Sequence, residues 1–184
     1  QILYMTIGRR SFMAAWSPAI ANEFIRLATD DGKGLTQMQL QKLVYIANGW
    51  SLAIRGEPLT ADSPQAWTYG PVYPELHRAL RSYGRDEVSR EIRNSEFIPG
   101  MFEDEQNVPA RAALSGDERA IVTRVYRDYG KFHAFQLSAL THRDGTPWTQ
   151  VYNGGLGKFD DIPSNMIRDH FVELARTGRA SANA

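Results

Sequence analysis

Ser138, His142 and Asp144 fall within seven positions of "LSALTHRDGTPW", residues 137–148. A hydroxyl, an imidazole and a carboxylate at such spacing could make a hydrolase. Ser138 and His142 are four apart, so a helix would place them on one face. The serine would then need the imidazole as base, the carboxylate to orient it and donors for an oxyanion. No G-x-S-x-G turn presents the serine. A junction between helices needs fewer assumptions. His142 would bond the free carbonyls of one helix end, Asp144-Gly145 would turn, Thr146-Pro147 would cap and start the next helix, and Trp148 would anchor the corner in the core. The junction is the favoured reading, and the hydrolase stays as the weaker alternative.

Other chemistry finds less support. The chain has no cysteine, so disulfides, thiolate metal sites and cysteine nucleophiles are excluded. "NGGLGKF" (153–159) misses a phosphate loop twice, with Tyr152 where the first glycine should stand and Phe159 in place of the hydroxyl; it reads as a connector. Histidines 77, 133, 142 and 170 lie on separate segments, and the His170/Glu173 pair lacks further ligands. No metal or cofactor is expected. "WTYGPVYPEL" (67–76) gathers Trp67, Tyr69 and Tyr73 around Gly70-Pro71, where the rings could fill the core or meet a partner. Lys42 lies in an otherwise apolar helix and is costly to bury without a partner, which makes it a candidate polar contact.

The elements that must position these residues follow from capping and periodicity. Ser17-Pro18 reads as a helix start, with the serine as cap. Thr36 and Gln39 form a capping box, opening a helix with Leu40, Leu43, Val44, Ala47 and Ile54 on one stripe and Met38, Tyr45 and Leu52 on another. A helix apolar on most sides is surrounded, so this one, closing at Gly56, is placed at the centre. A short strand is expected around 66–69, with Phe97-Ile98 as its partner, then a helix from Pro74 to about Gly84. The charged run 85–93 should lie at the surface. Ser115 and Glu118 open another capped helix, followed by short helices at 135–141 and from Pro147, and a last one from Pro163 to Arg176. The fold class is mainly α: a single-domain bundle around a buried central helix, with a small two-stranded β element. Residues 1–16 are expected to be an N-terminal extension, disordered or foreign to the native chain, 17–176 the domain and 177–184 a frayed tail.

Composition narrows the partners. Of 184 residues 42% are hydrophobic, which suits one globular domain. Lys plus Arg and Asp plus Glu both number 21, and the basic residues divide evenly between the halves. A dedicated nucleic-acid binder would carry a cationic excess, so nucleic acid is disfavoured. No segment approaches the length needed to span a bilayer, and no membrane partner is expected. The apolar stripes would serve a core or a homo-oligomer interface equally well.

Four segments in order, "ANEFIRLA" (21–28), "GLTQMQLQKLVYIANGWSLAIRGEPL" (34–59), "AWTYGPVYPELH" (66–77) and "LSALTHRDGTPW" (137–148), resemble the Panacea domain, the SocA-like antitoxin domain of phage-associated proteins. The resemblance rests most on Leu40, Gln41, Lys42, Leu43, Tyr45, Trp67, Gly70, Pro71, Thr141, His142, Pro147 and Trp148. Asn48 departs from it, since family members often have histidine there. The resemblance implies a cytoplasmic antitoxin that binds a cognate toxin encoded beside it, in some members delivering it to an ATP-dependent protease of the ClpXP type. It implies no enzymatic activity. The expected toxin surface comprises Lys42, Tyr69, Tyr73, Arg85 and Arg90, and the small-residue tail is a candidate protease contact. A DNA-binding regulator is the first alternative.

Overall fold

The computed structural model describes residues 14–98 and 107–182, with side chains through residue 178. Seven α-helices and one two-stranded sheet are present among these residues: α1 (Ser17–Asp30), α2 (Gln37–Arg55), β1 (Gln65–Trp67), β2 (Gly70–Val72), α3 (Pro74–Leu80), α4 (Gly116–Tyr129), α5 (Ala134–Thr141), α6 (Pro147–Tyr152) and α7 (Ser164–Ala182). None of the helices is long and apolar enough to cross a membrane.

Helix α2 forms where the sequence marks it. The Thr36 hydroxyl accepts from the Gln39 N–H at 3.4 Å, while the Gln39 side chain accepts from the Thr36 N–H at 2.9 Å. Gly56, left-handed at φ 75°, ends the helix. Every residue from Leu40 to Gly49 is buried, and α2 packs against α1, α3, α4, α5, α7 and β2. At about 1.5–3 kcal/mol per large apolar side chain withdrawn from water, this helix organises the core. Gly49 allows α7 its closest approach. A Cβ there would lie 2.2 Å from the Phe171 ring, which stands edge-on to Tyr45 and Trp50. Ile54, assigned to the same stripe, is instead 67% exposed.

Buried amides tie the loops to the helices. Asn22 on α1 donates to the Ile92 and Ala110 carbonyls at 2.8 and 2.9 Å and accepts from the Ile92 N–H at 2.7 Å. Asn48 on α2 accepts from the Leu59 and Thr60 N–H groups, so a neutral amide meets all that this position shows. The Ser115–Glu118 capping box opens α4, and buried Glu118 also pairs with Arg55 at 2.9 Å.

Several sequence expectations are corrected. The β element is a hairpin of β1 and β2, with Gln65 opposite Val72, Ala66 opposite Pro71 and Trp67 opposite Gly70; residues 94–96 form a 3₁₀ turn and Phe97 enters the core, so Phe97-Ile98 is not the partner strand. Ser17 is not the cap of α1. Trp16 precedes the helix, and Asp62 accepts from both the Ser17 N–H and hydroxyl, at 2.7 and 2.5 Å. Ala15 bridges Thr60 and packs on the core, so the fold begins before residue 17; residues 1–13 lie outside the described residues. The charged 85–93 run is not wholly superficial, since Val88 and Ile92 are buried. The helix expected to end at Arg176 continues to Ala182, through most of the anticipated tail.

Candidate functional site

The β1–β2 hairpin is held by side chains from three helices. Trp148 Nε1 on α6 donates to the Trp67 carbonyl at 2.8 Å, and Ser138 Oγ on α5 donates to the Tyr69 carbonyl at 3.1 Å. Lys42 Nζ on α2 donates to the Pro71 carbonyl at 3.0 Å. Gln41 grips Tyr73 twice, accepting from its N–H at 2.8 Å and donating to its carbonyl at 3.2 Å. Alternate residues from 67 to 73 are thus fixed by partners far away in sequence. Gly70 sits at the tightest point, with φ 104°. A Cβ there would come within 2.8 Å of both Lys42 Cε and Thr141 Oγ1.

Lys42 is only 1% exposed, and no carboxylate among the described residues pairs with it. Burial makes its ammonium costly and lowers its pKa from the ordinary lysine range to about 7. The same cause raises the Tyr73 phenol, with the Thr60 hydroxyl opposing. Tyr73 is fully buried, so its ring fills the core and presents nothing to a partner, contrary to the expectation. Leu40, Leu43 and Tyr45 are core residues as well.

Residues 137–148 build a junction. His142 Nδ1 lies 2.7 Å from the Ser138 carbonyl, which makes it the N–H donor. The Ser138 hydroxyl donates to Tyr69. An imidazole nitrogen that carries a proton cannot take the serine's, and exposed Asp144 makes no hydrogen bond to His142. Gly145 turns at φ 78°, the Thr146 hydroxyl caps α6 by accepting from the Thr149 N–H, and Pro147 opens the helix. Trp148 is buried between His142 and Tyr152, with ring centroids 3.8 and 4.7 Å away. Thr141, buried, donates to the Ser138 carbonyl. No group of three or more His, Asp or Glu among the described residues could hold a metal.

The hairpin forms one wall of a cleft of about 730 Å³. Its opposite side is the start of α2 and α5, and Lys42, Trp67, Tyr69 and Arg85 all line it. Of the candidate partner residues, Lys42, Tyr69 and Arg85 are therefore brought together. Arg90 is not: it lies elsewhere and forms a two-toothed pair with Glu96 at 2.9 Å. Phe135, Lys158 and Phe159 also line the cleft and were not recognisable beforehand. Phe159 reaches Trp67 through the fold, its N–H bonded to the Ala66 carbonyl at 2.8 Å and the rings 5.3 Å apart. The 153–159 connector is thus a border of the sheet. Only the departure of Phe135 from the α5 register set by Leu137 hinted at its exposure.

The family model described as "Antitoxin SocA-like, Panacea domain" matches residues 40–149, which span α2, the hairpin and the junction. The chain belongs to the SocA-like antitoxin family. It is similar to antitoxin SocA of Caulobacter vibrioides (strain NA1000 / CB15N), 29% identical over 156 residues that cover 83% of this chain and 80% of that protein. No solved structure matches significantly. In this SocA-like chain, the motif residues Gln41, Lys42 and Trp148 bond the hairpin backbone, and Gly70 allows it to approach Lys42 and Thr141. The family match spans Gln41, Lys42, Ser138 and Trp148, the helix side chains that hydrogen-bond the backbone of the cleft wall.

Proposed function

We propose that this protein neutralises a toxin encoded beside it by direct contact, that the hairpin cleft is the contact surface, and that no reaction is catalysed. The observation that supports this reading is the placement of Tyr69: its backbone is fixed by Ser138 while its ring remains 67% exposed at the cleft mouth. A rigid backbone carrying an exposed aromatic ring supplies contact area at low entropic cost. The finer form of the proposal is that the complex is handed to an ATP-dependent protease of the ClpXP type in the cytoplasm, so that binding leads to removal of the toxin.

The test is co-expression with the product of the adjacent open reading frame, reading growth first and co-purification second. Growth rescue with a stable complex is the result expected from binding. Rescue with loss of the partner, restored to a stable complex in a strain lacking the protease, is the result expected from delivery. A harmless neighbour that does not co-purify sinks the proposal.

A further inference from the structure

The residues around the hairpin cleft are segregated by charge although the chain is neutral. Lys42, Arg85 and Lys158 line it together with two histidines, and no aspartate or glutamate does. With 21 acidic residues matching 21 basic ones overall, this is a local arrangement. On other faces several cations meet a carboxylate: Arg26 with Glu91, Arg55 with Glu118, Arg90 with Glu96 and Arg124 with Asp128. Arg85 and Lys158 are exposed and have no ion-pair partner among the described residues. The aromatic surface is equally concentrated. Among the described residues, the large aromatic side chains more than half exposed are Tyr69 at 67%, Phe135 at 79% and Phe159 at 53%, and all three line this cleft. Lys158 lies over the Phe159 ring, 4.9 Å from its centre, so one cation and one ring form a joint surface.

We propose that the cleft receives an acidic segment of the partner protein, with an apolar side chain seated among Tyr69, Phe135 and Phe159 and carboxylates facing Arg85 and Lys158. This rests on the toxin-binding reading above and names the chemistry that the partner must present. Unpaired rim cations meeting carboxylates steer the encounter and fix register, while the rings supply the buried area. A nucleic acid is also anionic, but its affinity comes from many phosphate contacts along an extended basic surface. Two exposed cations beside an aromatic cleft, on a neutral chain, favour a peptide.

The experiment measures binding of the neighbouring gene's product to the wild-type chain and to the double variant Arg85→Glu/Lys158→Glu, at low and high salt. Arg124→Glu, on another face, is the control, and thermal unfolding confirms that each exposed change leaves the fold intact. The double variant is expected to weaken binding about tenfold or more and to flatten its salt dependence, with the control unchanged. Binding kept within twofold by the folded double variant overturns this inference and leaves the antitoxin reading standing. A wild-type chain that does not bind the product overturns both. Binding of a labelled single-stranded DNA that the double variant loses, with protein binding kept, reassigns the cleft to nucleic acid.

Discussion

Two of the clefts among the described residues differ in kind, and the larger of the pair has the weaker claim to be the site. The groove between the end of α2 and α4 measures about 860 Å³ and is lined by Trp50, Ile54, Val125 and Tyr129, and both cations that line it are paired. Arg124 pairs with Asp128 at 2.5 Å, and Arg55 pairs with Glu118 at 2.9 Å. The hairpin cleft, at about 730 Å³, leaves Arg85 and Lys158 without such partners and collects the exposed rings. Volume shows where side chains fail to meet. Unanswered charge beside fixed, exposed aromatics indicates where something else is meant to meet them. The two clefts also differ in their walls. One is two helices packed by shape, while the other is a hairpin fastened residue by residue.

The largest expected effect comes from breaking that fastening. Gly70→Ala must adopt a φ near 104° and place its methyl against Lys42 and Thr141. A loss of about 3 kcal/mol is expected, and for a chain of this size the melting temperature should fall by roughly 6–12 °C. Gly32→Ala shares a positive φ, 67°, but its Cβ meets nothing within 4 Å; about 1 kcal/mol is expected there. Equal losses at the two positions would mean that the close approach at Gly70 is not what holds the hairpin.

Lys42→Met comes next and concerns pH. In the unfolded chain the lysine keeps its proton to about pH 10.4; in the fold, burial releases it at about 7. Below pH 7 both states are protonated, and the fold carries the full cost of a buried ammonium. As pH rises beyond 7, the folded state sheds the proton before the unfolded state does, so the wild type gains stability. Methionine cannot titrate. Whatever its offset from losing the bond to the Pro71 carbonyl, the stability of the variant relative to wild type should fall by about 2 kcal/mol between about pH 7 and about pH 9. Urea unfolding of both proteins across that range measures it. A difference that does not change with pH would show that Lys42 does not titrate there.

These two residues illustrate what could be read from the sequence. Both capping boxes and the central position of α2 were legible, because they depend on spacing within a few residues. The junction at 138–148 was legible for the same reason: its turn, cap and proline are adjacent. The partners of Gly70 and Lys42 were not, since the carbonyl that receives Lys42 Nζ lies 29 positions away. Tyr69 and Tyr73 show the limit most plainly. They are identical in type and four apart, yet one is exposed and the other fully buried, because Gln41 draws the backbone at 73 against α2 while 69 occupies the hairpin turn. Phe159 joins the same cleft from far downstream, through a backbone bond to Ala66 that no local pattern announces.

The smallest effect on stability should separate the two clefts most clearly. Tyr69→Ser and Ile54→Ser each remove a large side chain that is 67% exposed, one from each opening. Equal exposure means that neither ring nor alkyl chain loses much burial, so each change should stay within about 0.5 kcal/mol of wild type. Partner binding should distinguish them. If the hairpin cleft is the contact surface, Tyr69→Ser removes an aromatic anchor whose backbone is already fixed by Ser138, and such anchors cost more than about 1 kcal/mol when truncated. Affinity for the adjacent gene's product should then fall about tenfold, while Ile54→Ser leaves it unchanged. Calorimetric titration of the three proteins decides the matter. The reverse pattern would transfer the contact to the α2–α4 groove, and with it the conclusion that apolar volume, more than unanswered charge, selects the partner.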